Sequence, residues 1–183
     1  NGEHIKIAEL GILHGESIPI ILNNLNVAEY HGVDLFDCYE ENKDGSYELM
    51  KNQGDKIYNQ ITKLYSSDKR VNIVKGFTNE VVNNYSDNYF DLIFIDAGHE
   101  YPQVSEDIRL WYPKMKSKGL FCGDDYFYPP VKQAVHEFIS KHGFKLYNSA
   151  GRNISKHEFK LYNFAGRNPA PNYNDPWTWY IKT

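Results

Sequence analysis

Four side chains with acid–base or metal-binding chemistry fall in two short stretches: Asp96 and His99 in IDAGHEY (95–101), Asp124 and Asp125 in GDDY (123–126). Each stretch follows an apolar run, so each reads as the polar end of a buried strand. If the two strands are neighbours, three carboxylates converge on one edge. Unpaired acids that close repel one another and raise their pKa values unless a cation neutralises them. All-oxygen ligation with positions open to water suits Mg²⁺ or another hard divalent ion and does not suit a structural Zn²⁺. His99, three residues after Asp96, sits on the same loop, where a neutral imidazole is a candidate general base. The plainer alternative is that His99 caps the following helix and that Asp124 or Asp125 caps the next.

A second group lies near the start of the chain. ELGILHGES (9–17) places Glu9 at a strand end, then Gly11 and Gly15, then a helix. Glycines there let the backbone approach a ligand, and a helix start offers free N–H groups. The G-x-G-x-x-G dinucleotide fingerprint is absent, because Leu13 and Glu16 stand where it needs other residues. Asp34 ends the next apolar stretch, the place from which an acid accepts hydrogen bonds from ribose hydroxyls in nucleoside-binding α/β folds, with Asp37 as a nearby substitute. EENKDGSYELMK (40–51) imitates a calcium loop but fails at both ends, at Glu40 and Lys51, and reads as a polar loop opening a helix.

Positioning these residues requires strands that alternate with helices. Hydrophobic periodicity predicts strands over 4–10, 28–36, 71–76, 89–96 and 119–125. Between them, helices are marked by Ile18, Ile21, Leu22 and Leu25, by Leu49, Ile57, Ile61 and Leu64, by a short segment over 78–85, and by Val104, Ile108 and Trp111. Val131 to Ile139 marks a further helix ended by Gly143, and FKLYN and TWYIKT offer closing strands. The expected fold is α/β: a Rossmann-like, doubly wound, mostly parallel sheet of about seven strands, the last antiparallel, in three α/β/α layers. Ligands of such sheets bind beyond the carboxyl ends of the strands. The loops 11–17, 34–37, 76–79, 96–101 and 123–130 are therefore the ones that matter.

The chain's 183 residues fit one domain, and a 24% charged, 41% hydrophobic composition is that of an ordinary folded protein. A net charge of −4 gives no basic field for a nucleic-acid partner. No apolar run spans a bilayer and no signal peptide is legible, so a cytoplasmic enzyme is expected. Cys38 and Cys122 read as buried reduced thiols. Residues 139–153 recur at 154–168 with changes only at Gly143/Glu158 and Ser149/Phe164. Gly143 suits the left-handed end of a helix and Glu158 does not, so the first copy is expected to supply the sheet strand.

The order of these residues resembles class I S-adenosylmethionine-dependent methyltransferases. Within them it is most similar to the metal-assisted small-molecule O-methyltransferases, including those that methylate sugar hydroxyls. The resemblance rests on the acid-Gly-x-x-x-Gly loop, Asp34, FDLIFIDAGHEY and KGLFCGDDY, and covers roughly residues 5–140. It implies that Glu9, Gly11 and Gly15 hold the methionine part of S-adenosylmethionine, Asp34 its ribose, and Gly76 and Phe77 its adenine. It further implies that Asp96, which the family also places beside the cofactor, joins Asp124 and Asp125 in binding Mg²⁺ or another hard divalent cation, with His99 as base. The acceptor would be a small molecule with a hydroxyl, of sugar or aromatic type, framed by Tyr101, Tyr126, Phe127, Tyr128, Trp177 and Trp179; homo-oligomerisation is left open. Leu13 departs from the family's middle glycine, no acid follows the third strand, and helices that relatives place ahead of the first strand are expected to be missing. Two alternatives compete: a non-catalytic nucleoside-binding or scaffold domain, and a nicotinamide-dependent oxidoreductase. The missing pyrophosphate fingerprint and the acid cluster argue against the second.

Overall fold

The computed structural model describes residues 4–37, 53–148 and 178–182. Strand β1 (Ile5–Leu10) leads through the glycine loop to helix α1 (Ser17–Asn24), then to β2 (Val27–Asp34). Helix α2 (Gly54–Leu64), β3 (Val71–Lys75), the single-turn α3 (Thr78–Val81) with a 3₁₀ turn (Val82–Asn84), and β4 (Phe90–Ile95) follow. Helix α4 (Tyr101–Trp111), β5 (Met115–Gly123), α5 (Pro129–His142), β6 (Leu146–Asn148) and β7 (Trp179–Lys182) complete the order.

The seven strands form one sheet in the order β3-β2-β1-β4-β5-β7-β6. β1 pairs in parallel with β2 and β4, β2 with β3, and β4 with β5, while β7 runs antiparallel to both β5 and β6. Order switches sides at β1 and β4, whose carboxyl ends are adjacent. That is the topological switch point at which doubly wound sheets bind ligands.

Alternation along the central strands sends side chains into two cores. Ala8, Leu10, Ile93, Ile95 and Phe121 join Val104, Ile108 and Trp111 of α4 and Val131, Ala134 and Val135 of α5. Ile7, Leu92, Phe94 and Cys122 face the other way, with Ile18 and Ile21 of α1 and Ile57 and Ile61 of α2. Both faces are thus covered, which explains why β4 reads as a continuous apolar run. Cys122 is the buried thiol expected, and burial pushes its pKa above the ordinary range.

Several sequence expectations are corrected. β5 begins four residues earlier than expected, at Met115, and β2 ends at Asp34 because Phe36 turns with φ 49°. Leu64 is 70% exposed: α2 ends there and its last turn passes beyond the core. Trp179 is buried against Gly123 and Phe121, and Tyr126 is buried with its hydroxyl 2.6 Å from His136 Nε2, so both belong to the interior rather than to an acceptor pocket. The first copy of the duplication does supply β6, and Gly143 closes α5 with φ 70°. The second copy, Cys38, Leu49, Trp177 and most of the calcium-like segment lie outside the described residues.

Candidate active site at the strand switch point

The loops at the switch point are fastened by hydrogen bonds that continue the ladders past the strand ends. Gly11 N–H donates to Val33 O at 2.8 Å, Asp96 N–H to Leu10 O at 2.8 Å, Asp124 N–H to Ile95 O at 3.0 Å, and Gly76 N–H to Asp34 O at 3.0 Å. Every loop singled out by its chemistry is therefore anchored at its first residues to the adjacent strand.

Gly11 has φ 82°, and a Cβ there would lie 1.9 Å from the carbonyl oxygen of Asp96. Only glycine fits, so the glycine loop and the acidic loop touch backbone to backbone. Gly15 also takes a left-handed conformation, φ 70°. Leu13, where the resemblance implies a glycine, adopts φ 48°, a conformation that costs a side-chain-bearing residue roughly 1 kcal/mol.

Asp34 fastens this loop. Its Oδ2 accepts the N–H groups of Ile12 and Leu13, each at 2.9 Å, and its Oδ1 accepts that of Phe36 at 2.7 Å. The carboxylate expected at the ribose is thus a clasp between β2 and the glycine loop in this state. Glu9 is 3% exposed, and its Oε2 accepts from Tyr30 Oη at 2.6 Å and Ser17 Oγ at 2.9 Å. Burial pushes its pKa up to about 7, against the pull of those two donors. Gly76 and Phe77 follow β3, and Phe77 keeps an exposed ring at 39%.

Across the switch point, Asp96, His99 and Asp125 bring ligand atoms within 4.8 Å of one another. His99 Nε2 lies 2.9 Å from Asp125 Oδ2 and 3.8 Å from Asp96 Oδ1. Hydrogen bonding to Asp125, then to Asp96, raises the His99 pKa to about 10. The imidazole is therefore an imidazolium in this arrangement, where a base would have to be neutral. Asp125 reaches this position from φ 53°, a conformation usually left to glycine and often retained at sites. Asp124 is buried and stands outside the group of three. The N-cap positions are held by Glu100 before α4 and Tyr128 before α5, neither of which makes a side-chain cap bond.

The two carboxylates, Asp96 and Asp125, are hard oxygen donors close enough to share a divalent cation, and the imidazole is the softer third group, available to an ion only once it has lost its proton. Tyr30 and Ser17 were not found from sequence: Tyr30 sits on the neighbouring strand, 21 residues from Glu9, and Ser17, though only eight residues away, read as no more than the start of α1. The signal was Gly32, a lone glycine inside a strand, which marks close approach by a neighbour.

A family model described as a methyltransferase domain matches residues 8–126. The chain belongs to this methyltransferase family. The match begins within β1 and ends just past Asp125, so it takes in every candidate named for cofactor, metal and base, while Phe127, Tyr128, Trp177 and Trp179 fall beyond it. The methyltransferase chain is also 25% identical over 146 residues to the uncharacterized protein R132 of Acanthamoeba polyphaga mimivirus, covering 75% of this chain and 61% of that protein. Its fold is shared with the O-methyltransferase NovP, at a TM-score of 0.59 and 15% identity over 97% of this chain and 71% of that one. Spermidine synthase from Thermotoga maritima shares it too, at a TM-score of 0.56 and 21% identity over 98% of this chain and 53% of that one. The methyltransferase chain thus spans less than two thirds of the viral relative and about half of the synthase.

Proposed function

We propose that the chain is an S-adenosylmethionine-dependent methyltransferase that methylates a hydroxyl of a small molecule, of sugar or aromatic natural-product type, in the cytoplasm. The observation that carries this reading is the Gly11–Asp96 contact, which sets a ligand loop directly against an acid–imidazole cluster. Family membership supports methyl transfer, and the fold shared with an O-methyltransferase supports oxygen as the acceptor atom.

In this reading Glu9 faces the ammonium of the methionine part, while Gly11 and Gly15 let the backbone close on it. Asp34 exchanges its loop N–H partners for ribose hydroxyls, and the Phe77 ring covers the adenine. The cofactor supplies an electrophilic sulfonium methyl. Asp96 and Asp125, with His99 beside them and Asp124 behind, would hold Mg²⁺ or another hard divalent ion, which supplies positive charge favouring the ionised form of the acceptor hydroxyl. A cation held there would also weaken the pull of Asp96 and Asp125 on the His99 proton. The role of His99 in this reading is that of general base, its neutral Nε2 taking the acceptor's proton. The strand-end loops do the rest by alignment, since in-line transfer needs donor and acceptor held at contact distance.

Calorimetric titration with S-adenosylmethionine, then with Mg²⁺, tests the reading; no cofactor binding at millimolar concentration sinks it. A second reading, a non-catalytic nucleoside-binding domain, draws on the Leu13 backbone and the clasped Asp34. Cofactor binding without turnover on any hydroxyl acceptor would favour it.

A further inference from the structure

Glu9 lies on the central strand and its register partner on β2 is Gly32, one residue pair beyond Ile7 and Tyr30 on the same face. A Cβ at Gly32 would come within 3.0 Å of Tyr30 Cε1 and within 3.0 Å of Ile12 Cδ1. The missing side chain therefore opens a slot that the Tyr30 ring edge shares with Ile12 of the glycine loop. Through that slot the Tyr30 hydroxyl reaches Glu9 Oε2 at 2.6 Å, wholly inside the protein. Ser17, the first residue of α1, donates to the same oxygen. Both bonds fall on Oε2; neither uses Oε1.

We propose that Tyr30 is a positioning residue for the cofactor: its hydroxyl fixes the Glu9 carboxylate through one oxygen and leaves the other to receive the ammonium of the cofactor's amino-acid end. This rests on the reading that Glu9 holds the methionine part. The physical need is plain. A buried carboxylate tends to take up a proton, and a protonated Glu9 would not attract an ammonium. Around Glu9 stand the Tyr30 and Ser17 hydroxyls, the Cys122 thiol, and the Asp34 and Asp96 carboxylates, which disfavour its charge. The two hydroxyl donors are the groups here that favour it. Burial holds the Tyr30 hydroxyl well above its ordinary pKa, so it remains a donor.

The test is calorimetric binding of two probes to the whole chain: S-adenosylhomocysteine, which keeps the amino-acid end, and methylthioadenosine, which lacks it. Tyr30→Phe keeps the ring in its slot and removes only the hydroxyl. It is expected to weaken S-adenosylhomocysteine roughly ten- to a hundredfold, the range for losing a hydrogen bond to a charged group, and to leave methylthioadenosine within about twofold. In a Glu9→Gln background the same change should cost nothing further, because the coupling has already been removed. Equal weakening of both probes, or unchanged S-adenosylhomocysteine binding, overturns the proposal while the cofactor reading stands. A wild-type chain that binds methylthioadenosine and not S-adenosylhomocysteine overturns the assignment of Glu9, and the Tyr30 role with it. Failure to bind either probe removes the cofactor reading itself.

Discussion

Two charged clusters sit on opposite halves of the same sheet and are built on opposite terms. Near the amino ends of β1 and β2, Glu29 accepts from Lys6 at 2.7 Å and Tyr89 at 2.6 Å and lies 3.1 Å from His31 Nε2. His31 in turn packs among Tyr85, Tyr89 and Phe90, and burial lowers its pKa toward the neutral form. The network pairs one carboxylate with one ammonium, and the Glu29 pKa drops to about 2, led by its bond to Lys6. At the carboxyl ends of β4 and β5, Asp96 and Asp125 share a single imidazolium, with Asp124 next in the chain. The difference is one of composition: the first network sets a carboxylate against an ammonium and two ring neighbours, and the second sets two carboxylates against one imidazolium, the kind of arrangement in which pKa values are strongly displaced.

The contrast can be broken most severely at His99. His99→Ala is expected to lower the methyl-transfer rate by roughly a hundred- to ten-thousandfold, the range for losing a general base, with cofactor affinity nearly unchanged. Steady-state rates beside calorimetry check it, and equal loss of binding would make His99 structural. Next in size is Glu9→Gln. Because the native Glu9 pKa of about 7 lies above 4.5, its ionisation opposes folding increasingly as pH rises from 4.5 through 7. The amide should therefore raise stability at pH 8 by up to about 3 kcal/mol while weakening S-adenosylhomocysteine, readable in thermal melts and titration.

The compensated cluster should behave in reverse. Glu29→Ala removes the acceptor of Lys6 and Tyr89 and is expected to cost about 1–3 kcal/mol of stability, leaving the turnover of the folded fraction unchanged. Its pH window differs as well. A native pKa of about 2, below 4.5, gives a contribution present above 4.5 and lost as pH falls through 2. For His99 the native pKa of about 10 lies above 6.5, so its ion pair contributes fully below 6.5 and fades as pH rises through 10. Melting temperature against pH for wild type and each variant separates the two windows. The smallest effect is expected of Leu13→Gly, which relieves φ 48° but loosens the unfolded chain: a stability change within about 1 kcal/mol and a severalfold tighter cofactor.

The sheet was legible in the sequence where burial leaves no choice of residue. FDLIFI is apolar because helices cover both of its faces, and GLFCG reads likewise, so two neighbouring strands ending in acids followed directly. The approach of His99 to the acids was legible, but not that Asp125 rather than Asp124 meets it, since that depends on the left-handed turn at Asp125, where no glycine announces it. Nor was the clasp of Asp34 on Ile12 and Leu13, because an acid at a strand end looks the same whether it faces a ribose or a backbone amide. Leu64 shows the limit of periodicity, which gives the face of a helix and not how far the core extends beneath it.

The contact between Gly11 and Asp96 has one more consequence. Side chains rotate and repack, but two main chains separated by no more than a hydrogen atom have nothing between them to compress. The span from the glycine loop to the acidic edge is therefore a ruler cut into the backbone. Substitution elsewhere at the site can change which molecule is accepted; lengthening that ruler would take a different residue at position 11.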